Sequence, residues 1–201
     1  MKIGLLTFHA SHNFGSVMQA WATQKVLNEM GYVSEIINFR ALYQKDKYAV
    51  FPFRSGWKVI ARNLAQLKYI KQKYSYYRKY ENFIIHNLSL SKELNHVSQM
   101  RAIGESYDLY VAGSDQIWGY RVPEFVSSKE DIRETYYLNF TSSPKISYAS
   151  STGTSTLEEL SQYRNLLDDF EYISVRESAG KMLLERILGK EVSVVLDPTY
   201  L

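Results

Sequence analysis

Six consecutive residues, Gly113-Ser-Asp-Gln-Ile-Trp118, bring a carboxylate, a primary amide and an indole together directly behind the apolar run 109–112. Asp115 and Gln116 at that spacing can hold paired hydroxyls, and the carboxylate can take a proton from one of them. The indole of Trp118 offers a flat face for a sugar ring, while Gly113 and Ser114 are small enough to let a ligand approach the backbone. The structural alternative is a strand-to-helix turn with an Asp cap and Trp118 in the core.

A second polar corner, Asn13-Phe-Gly-Ser-Val-Met-Gln19, follows the apolar run 3–8. In one reading, Asn13, Gly15, Ser16 and Gln19 hold a hydroxyl or phosphate with the free N–H groups of a helix start. In the other, Gly15 takes a conformation that a Cβ resists and Ser16 caps the helix. His9 and His12 form an H-x-x-H pair on the same loop. No third carboxylate or histidine lies at ligand spacing, so a metal is not expected. Proton transfer suits them better, because imidazole titrates near neutrality. Ser150-Ser-Thr-Gly-Thr154 supplies a hydroxyl-rich stretch with Ser151 and Gly153 as candidates. Arg176, behind another apolar run, either binds an anion or pairs with a carboxylate.

These residues need strands to carry them. Apolar runs at 2–8, 33–39, 109–112, 145–150, 172–175 and 192–196 alternate with helical patterns at 16–30 and 177–188. Gly31 and Gly189 sit where those helices should stop. Thr156-Leu-Glu-Glu reads as a helix start with a Thr cap and acids in its first turn. Helical spacing from 57 to about 87 predicts two helices or one bent one, whereas 43–56 and 119–135 read as irregular. Such alternation predicts a doubly wound, mostly parallel, Rossmann-like α/β sheet of five or six strands. Ligands bind such sheets at the carboxyl ends of the strands, where both polar corners fall.

The chain has 201 residues, enough for one large domain or two small ones. We expect a single domain over 1–201 with a helical, basic, Tyr-rich insertion at about 43–100. Between Phe51 and Tyr80 stand eight Lys/Arg and no Asp or Glu, although the net charge is only +3. That segment is either a solvated helix face with tyrosines packed beneath it, or a surface for an anionic glycan, a lipid-linked diphosphate or a membrane leaflet. No nucleic-acid motif accompanies the charge, so no nucleic-acid partner is expected; at most peripheral membrane contact is expected, since the longest apolar runs are far short of a span. The absence of cysteine excludes disulfides and thiolate–metal sites. With no signal-peptide pattern at the N-terminus, the expected compartment is the cytoplasm. No G-x-G-x-x-G or Walker A occurs, which argues against a dinucleotide or P-loop site.

The series Asn13-Phe-Gly-Ser-Val-Met-Gln-Ala20, Val111-Ala-Gly-Ser-Asp-Gln-Ile-Trp118, Lys145-Ile-Ser-Tyr-Ala-Ser-Ser151, Ile173-Ser-Val-Arg-Glu177 and Val195-Leu-Asp-Pro-Thr199 resembles, in order and spacing, the motifs of the polysaccharide pyruvyl transferase family. The resemblance implies a fold like the amino-terminal half of a two-domain GT-B-type glycosyltransferase. It also implies phosphoenolpyruvate as co-substrate, no further cofactor, and a sugar or lipid-linked glycan as acceptor. Asp115 would then be the acceptor-side base, with Gln116 and Asn13 orienting the sugar and Trp118 stacking on it. Donor-binding residues would lie in a second domain, expected as a separate half or contributed by a homo-oligomer. The alternative is a sugar- or nucleotide-sugar-binding module without catalysis.

Overall fold

A computed structural model describes residues 1–52, 57–128 and 130–201. Six strands form one all-parallel sheet: β1 (Lys2–Leu6), β2 (Val33–Ile36), β3 (Leu109–Asp115), β4 (Lys145–Ser150), β5 (Tyr172–Val175) and β6 (Ser193–Val194), in the order β2-β1-β3-β4-β5-β6. Helices lie between them: α1 (Phe14–Glu29), α2 (Leu42–Tyr48), α3 (Trp57–Ala65), α4 (Ile70–Asn87), α5 (Val97–Met100), α6 (Pro123–Val126), α7 (Leu157–Ser161), α8 (Arg164–Asp168) and α9 (Ser178–Leu188). The fold is Rossmann-like and doubly wound.

Alternation along the central strands sends their side chains to two cores. Ile3 and Leu5 of β1 and Val111 of β3 join Val17 and Ala20 of α1 and Ile84 of α4 on one face. Leu6, Tyr110 and Ala112 project to the other, beneath Trp118, Phe170 and Leu184. Gly4 is required in β1 because a Cβ there would overlap the ring of Tyr107. Both glycine stops are as expected, Gly31 with φ +89° and Gly189 with φ +70°, conformations that β-carbons disfavour. Thr156 and Glu159 form the anticipated cap at α7, each side chain satisfying the other's backbone N–H.

Three local expectations are corrected. Residues 42–48 are helical because tertiary partners hold them: Gln44 donates to Ser11 Oγ at 3.1 Å, and Lys47 reaches Glu124 at 2.6 Å. The Phe53-Arg-Ser-Gly part of the segment read as irregular lies outside the described residues. Within 119–135, Pro123 at a first helical position starts the single turn α6. Finally, α1 begins at Phe14 with Asn13, not Ser16, as its cap. Gly15 does not take a positive φ; a Cβ on it would stand 3.3 Å from Asn13 Oδ1, so its smallness leaves room for the cap.

After α4 the chain runs back along the free edge of β2, with bridges Ile36–Leu90 and Phe39–Leu94. Gln24 of α1 fastens that return, donating to Ser34 O and Ser89 O and accepting from Ser89 N. The edge is thereby covered. Among the described residues no helix is long and apolar enough to cross a membrane.

Candidate functional site

With this strand order the connections leave to opposite faces after β1 and β3, which makes that junction the topological switch point. The two polar corners meet there. Ser16 Oγ donates to Asp115 Oδ2 at 2.6 Å across 99 residues of chain. Beneath this contact Thr7, at the end of β1, donates to Ser114 O at 2.9 Å and accepts from Gln19 Nε2 at 2.8 Å. Gln19 also donates to Ser16 O, while its buried Oε1 has no partner among the described residues.

Asp115 sits at φ +76°, a left-handed conformation that Asp and Asn tolerate better than most residues. Four bonds fix it there. Its N–H donates to Ser114 Oγ, its Oδ1 accepts from Gln116 N at 2.7 Å, its carbonyl accepts from Ser151 N, and Ser16 holds Oδ2. Strained backbone held by several independent bonds is a mark of functional sites.

The corner opens into a cavity of about 610 Å³ lined by Asn13, Gly15, Ser16, Gln19, Asp115 and Gln116, and by Arg176, Asp197, Lys47 and Glu124 on its other walls. Arg176, after β5, donates to Asp197 Oδ2 at 2.8 Å and to Glu177 Oε1 at 3.0 Å. Burial works against its charge, but those two carboxylates outweigh it and raise the guanidinium pKa further. Burial likewise pushes Asp197 up, yet bonds from Thr199 and Arg176 hold its carboxyl below the usual range. Lys47 is depressed by burial and raised more strongly by Glu124, for a net increase. Arg176 thus stands in the cavity wall as one arm of a carboxylate pair, the structural alternative for this residue.

The remaining predicted residues lie elsewhere. Trp118 is 1% exposed; Tyr137 stacks on it at 5.6 Å, and its indole N–H donates to Tyr136 O. The stacking role expected of it is therefore wrong, since its faces are already covered by protein. Gly113, Ser114 and Ser151 form the buried floor, not a surface for ligand. Gly113 has φ +119°, and a Cβ there would overlap Tyr148 O. Ser151 Oγ accepts from Gly153 N, and Gly153 is exposed at the rim next to Gln116.

Neither histidine reaches Asp115's cavity. His9 is enclosed, its Nε2 3.0 Å from Asn38 Oδ1 and its Nδ1 3.3 Å from Thr7 O. Burial lowers its pKa to about 4, so it is neutral near pH 7 and is removed as a proton carrier. His12 lies under α4, 2.7 Å from Glu81 Oε1, with Tyr48, Tyr77 and Tyr80 around its ring. It faces a second cavity, of about 530 Å³, lined also by Arg40 and Glu81. Burial opposes ionisation of Glu81, but the bonds from His12 and Arg40 hold its pKa down at about 2.

His9 makes stability depend on pH with a definite sign. Below its ordinary value of 6.5 the unfolded chain protonates this histidine while the folded chain, at about 4, does not. Stability therefore falls as pH drops from about 6.5 to about 4, by on the order of 3 kcal/mol. Glu81 acts in the same direction but lower, from its ordinary 4.5 towards 2. Urea unfolding at stepped pH should show the loss in the wild type and a flatter profile for His9→Gln. Equal stability from pH 7 to pH 4 would contradict the enclosed neutral imidazole.

A family model described as polysaccharide pyruvyl transferase matches residues 13–201. The chain belongs to that family. Among curated proteins no relative matches. In this pyruvyl transferase family member, Lys47, Tyr48, Glu124 and Asp197 complete the cavity, and sequence reasoning did not select them. Asp197 had a signal, standing just past the last apolar run where the strand-end rule applies. Lys47 and Glu124 carried none, because α2 and α6 are brought together only by tertiary packing.

Proposed function

We propose that this protein transfers the pyruvyl unit of phosphoenolpyruvate to a saccharide, forming a ketal across two hydroxyls in the cavity at the β1–β3 switch point. The single observation that carries this reading is the Ser16–Asp115 contact, which joins both polar corners into one wall. Family membership supports the reaction class.

The chemistry balances without a redox step. A proton adds to the methylene carbon of phosphoenolpyruvate, and a sugar hydroxyl attacks the neighbouring carbon and loses its proton to a base. Phosphate then leaves with its bridging oxygen, and a second hydroxyl closes the ketal, its proton passing to the departing phosphate. Asp115 is the base for an attacking hydroxyl, its Oδ2 oriented by Ser16. Gln116 and Asn13 bond the sugar's other hydroxyls from the exposed rim. The donor and a lipid-linked or free glycan acceptor both fit a cytoplasmic reaction.

The test is incubation of the purified protein with phosphoenolpyruvate and a panel of sugars. Released phosphate should equal the ketal found by mass spectrometry. Measurable sugar binding with neither product would favour a non-catalytic binding module.

A further inference from the structure

We propose that the surface formed by α3 and the first half of α4 docks on an anionic lipid bilayer. The starting observation is a set of aliphatic side chains left exposed among the described residues. Ile60, Leu64 and Leu67, spaced i, i+4 and i+7, are 61%, 62% and 47% exposed. Ile60 and Leu64 share one face of α3, and Leu67 follows just past its end, in the 3-10 turn Leu67–Tyr69. An apolar stripe of this kind normally faces a core; here it faces outward.

The charge around the stripe identifies its occupant. Residues 51–80 hold eight Lys/Arg and no acid. Lys68, Lys71, Arg78 and Lys79 are exposed, and among the described residues no carboxylate pairs with them. Elsewhere lysines do find acids, as Lys45 does with Glu93 and Lys47 with Glu124. Tyr69 and Tyr74 add exposed aromatic rings of the type enriched at membrane–water boundaries. The ammonium of Lys68 lies 4.9 Å from the Tyr69 ring centroid.

Aliphatic residues flanked by unpaired cations and interfacial tyrosines match a helix lying in the headgroup region, its apolar side towards the acyl chains. A polyanion such as RNA would use the cations but leave the aliphatic stripe in water. Hydrogen bonds also tie α4 to the loop after β1. The second half of α4 carries Glu81, which holds His12, just before the cap of α1, and Arg40, in the segment after β2. Docking does not depend on the transfer chemistry proposed above, and either can fail alone.

The experiment is co-sedimentation of the full chain with vesicles of phosphatidylcholine alone and of phosphatidylcholine mixed with phosphatidylglycerol. Binding should require the anionic lipid and weaken with salt. Ile60→Ser with Leu64→Ser should weaken it roughly tenfold or more, through lost apolar burial. Lys68→Gln with Lys71→Gln should weaken it roughly twentyfold. Circular dichroism of each variant checks the fold. Should the aliphatic pair unfold the chain, the lysine pair, on exposed side chains, carries the test alone. Equal partition into both vesicle types, no binding to either, or full binding by the folded aliphatic variant would overturn the proposal. So would RNA binding as tight as that to anionic vesicles, which would mark a polyanion surface instead.

Discussion

Asp115→Asn should lower pyruvyl transfer by roughly a thousandfold, within the range of about 10² to 10⁴ for loss of a general base. The substitution is informative because it spares the fold. Asparagine tolerates the left-handed backbone at φ +76°. Its Oδ1 can still accept from Gln116 N, and its amide can donate to Ser16 Oγ where the carboxylate accepted. The loss should fall on kcat, with sugar binding changed only a few-fold and the melting temperature retained. Asp115→Ala is a poorer probe, since alanine gives up these bonds and resists the conformation, at a cost of about 1–3 kcal/mol. Turnover by Asp115→Asn equal to that of the wild type would remove Asp115 from the mechanism.

Trp118→Ala should destabilise the protein by about 3–5 kcal/mol, the usual cost of emptying a large aromatic site in a core. For a chain of this size each kcal/mol moves the midpoint by about 2–4 °C, so the melting temperature should drop by on the order of 10 °C. The cost has identifiable sources: the stack on Tyr137, the edge contact with Phe170 and the bond from the indole to Tyr136 O. A tryptophan that served as a sugar platform would give the opposite pattern. Its removal would weaken binding and leave stability within about 0.5 kcal/mol, as surface substitutions do. Calorimetry on the variant therefore separates the two roles.

Period and punctuation made the architecture readable. The apolar runs at β4 and β5 match the predicted bounds, because both strands end at sharp polar boundaries. At β6 the apolar run exceeds the strand, since only Ser193 and Val194 pair with β5. The short helices α2 and α6 were not legible, because their stability comes from Lys47 meeting Glu124 and Gln44 meeting Ser11, contacts between distant segments. For the site, the sequence located both corners but not the direction of each side chain. Asp115 and Gln116 face the cavity, whereas Trp118, two residues later, turns into the core. A loop has no fixed period, so neighbours on it can point to opposite sides. The histidines fail for the same reason: His9 and His12 follow β1 closely, yet Asn38 and Glu81 draw their rings away from the cleft.

Hydrogen exchange, measured with and without the sugar that acquires the ketal, tests most directly whether the two corners act as one pocket. Protection should rise together, in a single titration, over 13–19 and 113–118. Protection at only one of them, or instead around His12 and Glu81, would contradict the account.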